Sequence, residues 1–296
     1  MDTAAVNFAE IRYKRAFVDK TMLIKTVLHV SSRILLIAPR RFGKSVNLTM
    51  MKRFFELSPD SEEMEKNRKL FAGTLIAEHE DIMEHHQGKY PVLFLDFKSN
   101  STISSLQSAC TLLASVVQNA YEEHKYLASS DLEAREKEKF KSWCDRDFES
   151  NPVKEDQIIF TALENLVKYM TRYWKKEVIV LTDEYDSICC DAVIEMDDEK
   201  ELQRVIALCS GTLSCILKNP DIKIFRGILT GISFLMCKGL SKLTNVNEYK
   251  FQESNVFFKF YGLTFDELRD LLKRLSKNKF DAVSYTHLTL PTIYSV

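Results

Sequence analysis

The sequence predicts an α/β protein with a mostly parallel central sheet covered by helices on both faces, a three-layer sandwich. Three observations carry that reading. Four apolar runs, residues 33–38, 90–96, 178–183 and 222–230, read as buried strands. The first three are nearly continuous rather than alternating, as in parallel strands covered on both sides. Apolar residues between the runs recur at helical steps, so strand and helix alternate and right-handed crossovers follow.

The helical stretches are set by their spacing. Leu48, Met51 and Phe55 recur at steps of three and four after the first strand. Ile159, Ala162, Leu166 and Met170 do so before the third, and Leu202, Val205, Cys209, Leu213 and Leu217 after it. Each stripe is read as a core face. Residues 100–152 are read as a helical excursion whose charge-dense part, 131–141, forms a solvated or lid-like helix. There is no internal repeat.

Composition narrows the class. At 296 residues and 45% hydrophobic, the chain is long enough for one large domain or a domain with a small appendage. Only 8 Gly and 6 Pro argue against long flexible linkers. A net charge of −1 supplies no global basic field toward nucleic acid or an anionic membrane. Cys110, Cys144, Cys189, Cys190, Cys209, Cys215 and Cys237 are odd in number and include no Cys-x-x-Cys pair, which suits reduced thiols. There is no signal-like N-terminus and no apolar run of spanning length, so no membrane role is expected. The expectation is an intracellular protein, cytoplasmic by default, with the nucleus left open.

The segment Ala38-Pro39-Arg40-Arg41-Phe42-Gly43-Lys44-Ser45 follows an apolar strand and opens an amphipathic helix. That context marks a P-loop, the phosphate-cradling turn of nucleoside triphosphatases. Gly43 lets backbone N–H groups approach phosphate. The helix N-terminus adds unpaired donors and partial positive charge. Lys44 would reach the β- and γ-phosphates, and the Ser45 hydroxyl would be a ligand of Mg²⁺. Ala38 stands where the usual spacing has a first Gly. Arg40 and Arg41 add charge that touches phosphate or pairs with a surface carboxylate.

The third strand ends Leu181-Thr182-Asp183-Glu184-Tyr185-Asp186. Asp183 would hold Mg²⁺, and Glu184 would orient and activate the attacking water. Both stand at the carboxyl end of a strand, where open α/β sheets bind ligands. Asp186 is read as a cap for the following helix. The fourth strand ends Leu229-Thr230-Gly231, with Thr230 as candidate sensor of the γ-phosphate. In P-loop proteins of the additional-strand type, an extra strand lies between the two motif strands, and 92–96 is assigned that place.

His79, His85 and His86 stand among acidic residues, but their spacing fits no zinc pattern and a polar helix face is preferred. Trp143 and Trp174 are read as packing anchors. From Ser284 onward the last thirteen residues contain no Lys, Arg, Asp or Glu. They resemble translated adaptor sequence, so 1–280 is taken as the domain, 281–296 as non-native, and the natural chain as continuing past about Phe280.

These motifs together resemble the AAA-ATPase-like family of predicted P-loop ATPases. The segments that carry the resemblance are Phe17-Val18-Asp19-Lys20-Thr21, Pro39 to Ser45, Leu181 to Asp186, Leu229-Thr230-Gly231, and Tyr261-Gly262-Leu263-Thr264 with Glu267. The missing first loop Gly is that family's habit. The resemblance implies an additional-strand P-loop ATPase module using ATP and Mg²⁺, often followed by a restriction-endonuclease-like domain, of which no core is visible here. Many members carry an Arg after Thr-Gly. Here Ile232-Ser233-Phe234 follow, leaving Lys238 or Lys242 as substitutes. Two functions are therefore expected: Mg-dependent ATP hydrolysis coupled to a shape change, or a nucleotide-gated module with little turnover. ATP is preferred over GTP because no guanine-reading Asn-Lys-x-Asp occurs. The sequence names no protein or nucleic-acid partner. An oligomer is compatible with the resemblance but has no support in the residues.

Overall fold

A computed structural model describes residues 7–98, 102–145, 155–233, 246–250, 253–254 and 256–276, without the side chains of 155, 156 and 276. The tail at 281–296, Lys238, Lys242 and Cys237 lie outside these residues.

The strands are β1 (Arg33–Ile37), β2 (Val92–Asp96), β3 (Val178–Asp183), β4 (Ile224–Gly231) and β5 (Asn247–Lys250). They form one parallel sheet in the order β2-β3-β4-β1-β5. The helices are α1 (Phe8–Ile11), α2 (Met22–His29), α3 (Lys44–Phe55), α4 (Ser61–Leu70), α5 (Glu80–His86), α6 (Leu106–Glu123), α7 (Ala134–Cys144), α8 (Glu155–Trp174), α9 (Ser187–Glu195), α10 (Glu199–Leu217) and α11 (Phe265–Ser276).

Strand pleating sends alternate residues to two cores. Ile34, Leu36, Ile179, Leu181 and Ile228 join Leu23 and Val27 of α2 and Leu48, Met51, Phe54 and Phe55 of α3. Leu35, Ile37, Val178, Val180 and Leu229 join Leu113 and Val117 of α6, Leu163 and Leu166 of α8, and Cys209 and Leu213 of α10. Because both faces are covered, β3 is buried at every position, which is why its sequence does not alternate. The expected stripes face inward, with only Leu202 half-buried at the start of its helix. Truncating one such side chain, Leu181→Ala for instance, would cost about 2–5 kcal/mol.

Helix starts follow local chemistry. Ser105 and Ser108 form a reciprocal capping box on α6, and Asp60 and Asp198 accept from first-turn N–H groups of α4 and α10. Within the excursion, α6 is part of the core rather than a cover over it. Charge-rich α7 buries Phe140 and Trp143. The Trp143 ring lies 5.8 Å from Tyr121, and Trp174 Nε1 donates to the Tyr126 hydroxyl at 2.9 Å.

One strand assignment is corrected. Residues 92–96 do not lie between the motif strands: among the described residues β2 is at the edge of the sheet, paired with β3 alone. The strand inserted between β1 and β3 is β4. Strand order is set by crossover packing, which no single strand's composition encodes. The polar strand β5 was not expected, because Asn247, Glu248 and Lys250 are exposed and form no apolar run.

Among the described residues no helix is long and apolar enough to cross a membrane, and no group of His, Cys, Asp and Glu could hold a metal ion by side-chain clustering alone. His86 instead shares a 2.8 Å hydrogen bond with the Tyr90 hydroxyl and stacks on that ring. None of the six described cysteines forms a disulfide, and Cys110, Cys189 and Cys209 are buried.

Candidate functional site

Parallel pairing aligns the strand ends. The register sets Leu36 of β1 beside Thr230 of β4, Thr182 of β3 beside Leu229, and Asp96 of β2 beside Asp183. The sequence-predicted residues thus leave the sheet on one edge, the carboxyl ends of the strands. Backbone bonds tie the exits together: Ala38 N donates to Gly231 O at 3.1 Å, and Tyr185 N to Thr230 O at 3.0 Å.

The loop from Ala38 to Ser45 turns sharply into α3. Gly43 holds the N-cap in a left-handed conformation, φ 85°, and its carbonyl accepts from Asn47 N. No side chain caps this helix start, so its first N–H groups keep the donor capacity that anions use. A Cβ placed at Gly43 would meet nothing within 4 Å, so the space over the loop is open. Pro39, Arg40 and Arg41 are exposed, while Phe42 and Ser45 are half-buried.

Lys44 points back over this turn. It is 6% exposed, and its Nζ donates to Ala38 O and Pro39 O, both at 2.9 Å. Burial lowers its pKa, opposed by the negative charges of Asp183, Glu184 and Asp186. The loop lysine and the acidic strand end are therefore within electrostatic reach of each other, across β4.

Asp183 is 4% exposed. One of its oxygens, Oδ1, accepts from Thr230 Oγ1 at 2.7 Å and from Glu184 N at 3.0 Å. Glu184 itself is half-buried and holds a left-handed backbone, φ 48°, uncommon for a non-glycine residue. Its pKa is raised, first by burial and then by the carboxylates of Asp183 and Asp96. Asp96 is raised as well, by burial and then by Asp183, against a hydrogen bond from Lys98 N. The charges of Asp183, Glu184 and Asp96 thus bear on one another along one rim, with Lys44 the first cation opposing them at Glu184.

One role read from sequence changes. Asp186 occupies the N-cap of α9 but makes no side-chain cap bond. Its Oδ2 instead accepts from Ile232 N at 3.0 Å and Ser233 N at 2.6 Å, so it binds the chain leaving β4. Gly231 must be glycine there, because a Cβ would stand 2.4 Å from the Tyr185 ring and 2.6 Å from Asp186 Oδ1. Arg40 bears on Lys44 and on the Asp191 carboxylate of α9.

Sequence reasoning gave no role to Asp96, Asn47 and Tyr261. Asp96 ends an apolar run as Asp183 does, which was a usable signal. Asn47 Nδ2 donates to Phe260 O at 2.9 Å, and Gly262 N donates to Phe42 O at 3.0 Å. Lys20, from the Phe17–Thr21 segment, donates to both Glu267 oxygens at 2.6 Å. Asp19 accepts from Leu75 N, and Thr21 Oγ1 from Ile76 N. That segment is therefore a tether between α11 and the turn at 75–76. A recess of about 230 Å³ lined by Arg53, Asn67, Arg68 and Gln87 lies at the other end of α3 and includes none of the loop residues.

A family described as predicted AAA-ATPase matches residues 3–241, short of the Tyr261–Thr264 segment. No curated protein and no solved structure matches the chain. With the match spanning most of the chain, it belongs to the AAA-ATPase-like family of predicted AAA-ATPases.

Proposed function

We propose that the chain binds Mg·ATP over the Ala38–Ser45 turn and hydrolyses it. The observation that carries this reading is that Lys44, on the turn after β1, lies within electrostatic reach of Asp183 and Glu184 at the carboxyl end of β3, across the intervening β4. The residues fit the ligand. The helix start is uncapped, the space above Gly43 is open, and Lys44 holds only two backbone carbonyls that phosphate oxygens can replace.

The roles follow from position. Pro39, Arg40, Arg41, Phe42 and Gly43 supply the loop that wraps the phosphates, and Lys44 neutralises charge on the β- and γ-oxygens. Ser45 and Asp183 would hold Mg²⁺, which when bound screens the charge that develops on the phosphates. Glu184, raised in pKa at the rim, takes the proton of the attacking water. Thr230, bonded to Asp183, fixes that carboxylate and stands where the γ-phosphate is sensed. The fold reading that accompanies this is the three-layer P-loop sandwich of the additional-strand type, supported by β4 between β1 and β3 and by a core on each face.

The test is Mg²⁺-dependent ATP binding and hydrolysis by the parent beside Lys44→Ala and Glu184→Gln. Binding lost in the first and turnover alone lost in the second supports the assignment. A folded parent that binds no nucleotide overturns it. A second reading, a nucleotide-gated switch with little turnover, is favoured by the segment after Gly231. Of that segment the described residues are Ile232 and Ser233, which give their N–H groups to Asp186, and neither carries a charge. Tight binding by the parent without turnover would select it.

A further inference from the structure

The loop at 38–45 is held from far along the chain. Arg41 and Gly43 both have left-handed backbone, φ 68° and 85°. Glycine adopts this freely, whereas an arginine does so only where its surroundings over-determine it. The residue between them, Phe42, is the one gripped from outside. Its carbonyl accepts from Gly262 N at 3.0 Å. Gly262 lies flat against the Phe42 ring: a Cβ there would stand 3.0 and 3.1 Å from two ring carbons, and its own φ is +74°.

The two residues before Gly262 grip the same helix start. Asn47, in the first turn of α3, donates to Phe260 O at 2.9 Å in a buried bond. Tyr261 is 3% exposed, packed in the core under α3, with Asp183 close enough to add to the rise of its pKa, whose main cause is burial. The first turn of α3 and the crown of the loop therefore both bond to one short segment.

That segment runs directly into α11. Thr264 N donates to Glu267, and Glu267 N to Thr264 Oγ1, which fixes the helix start. Lys20 holds Glu267 and Lys259 O, and Arg274 donates to Phe17 O at 3.0 Å. Among the described residues few other contacts seat this helix: Phe265 and Leu275 are exposed, and Leu268, Leu271 and Leu272 are half-buried.

We propose that residues 260–262 brace the phosphate loop, with Gly262 and Tyr261 as positioning residues that act through Phe42 and Asn47, so that the seating of α11 sets nucleotide affinity. The brace holds the Arg41–Gly43 backbone in the one shape that turns its N–H groups outward together. Releasing α11 loosens Gly262 from Phe42, Arg41 relaxes from its left-handed conformation, and the donors disperse. The link to affinity rests on the ATP reading above, whereas the brace itself is readable without nucleotide.

The experiment is amide hydrogen exchange on nucleotide-free protein, with Mg·ATP affinity measured on the same samples. Gly262→Asn keeps a residue that tolerates the left-handed region but puts a Cβ against the Phe42 ring. Asn47→Ala removes the side chain that reaches Phe260 O and Tyr261 and keeps helix propensity, so it serves if the first variant folds poorly. Exchange over residues 39–46 is expected to rise roughly ten-fold in Gly262→Asn and less in Asn47→Ala, with β1 and β3 unchanged. Apparent KM for ATP is expected to rise about ten-fold with kcat nearly constant, a split that general loosening would not give. Unchanged loop exchange in both variants overturns the brace, and so does a rise spread evenly over β1 and β3. A parent that binds no ATP removes the nucleotide reading, and the exchange comparison still decides the brace.

Discussion

Thr230 donates its hydroxyl hydrogen to Asp183 Oδ1 at 2.7 Å, and both residues are buried at the ends of adjoining strands. A carboxylate in that position needs its donors, because an unsatisfied buried acceptor costs about 1–3 kcal/mol. Thr230→Val keeps the shape and removes the donor. We expect ATP turnover to fall about 10–100-fold with a smaller change in KM, because a misplaced Asp183 affects the transition state most. Steady-state kinetics at saturating Mg²⁺ checks it; a fall in affinity alone would place Thr230 outside the reacting centre.

Lys44 is a buried cation whose pKa burial lowers, held by two carbonyls. Such a group does little for the stability of the free protein, because its desolvation offsets its bonds. Lys44→Met should leave the unfolding free energy within about 1 kcal/mol of the parent while weakening ATP binding roughly 100-fold. Denaturant titration and nucleotide titration on one preparation separate the two effects.

Glu184 must be ionised to accept a proton, and burial with Asp183 and Asp96 raises its pKa. Like charges hold its proton to higher pH, so turnover should decline on the acid side at a pH above that of an ordinary glutamate. Asp96→Asn removes one of those charges and should move the acid limb downward. A pH–rate profile of the two proteins reads the shift, and an upward or absent shift would take Asp96 out of the site's electrostatics.

Gly231 is fixed by sterics. Its absent Cβ would overlap the Tyr185 ring and Asp186 Oδ1. Tyr185 is held by its hydroxyl on Ser233 O at 2.7 Å, so it does not move aside cheaply. Gly231→Ala should destabilise the fold by roughly 2–4 kcal/mol, seen as a lower denaturation midpoint, whereas Gly73→Ala, with open space but φ +70°, should cost only about 1–2 kcal/mol.

At the far end of α3, burial raises the pKa of Glu56 to about 7, with Lys52 opposing and Glu123 reinforcing the rise. Lys52 itself pairs closely with Glu123. An acid whose pKa is higher folded than unfolded binds more protons in the native state between about 4.5 and about 7. Its contribution is then full below that window and is lost as pH climbs through it. Glu56→Gln should therefore stabilise the protein at pH 8 by about 3 kcal/mol relative to its effect at pH 4.5. Unfolding curves at the two pH values settle the sign.

The strands were readable because burial on both faces leaves continuous apolar runs: β3 spans Val178–Asp183 as the sequence reading has it, and β1, β2 and β4 shift by at most two residues at an end. The loop was readable because glycine, lysine and serine stand between a strand and a helix. What sequence could not give is neighbourhood across the sheet. Asp96 and Asp183 become partners only through the β2–β3 register, and the inserted strand proved to be β4. Asp186 looks like a cap in sequence because the cap position is local, while its actual partners, Ile232 and Ser233, lie some forty-six positions on. Gly262 stood in a segment that carries the family resemblance and Asn47 in none, but what each does is a contact between distant segments that sequence does not show.

Among the described residues, the strand that leads into the Ala38–Ser45 loop pairs only with late neighbours. β1 pairs with β4 and β5, so Arg33 waits for Gly227 and Ile34 for Asn247. During synthesis the ribosome must add roughly 190 further residues, about 10–40 s at roughly 5–20 residues per second, before Ile34–Ile37 can enter a sheet. Throughout that interval an apolar strand edge is open to other nascent chains. Such a chain invites holding by chaperones on the ribosome, and a message truncated before codon 224 would yield a product whose loop sequence is intact and whose loop never forms.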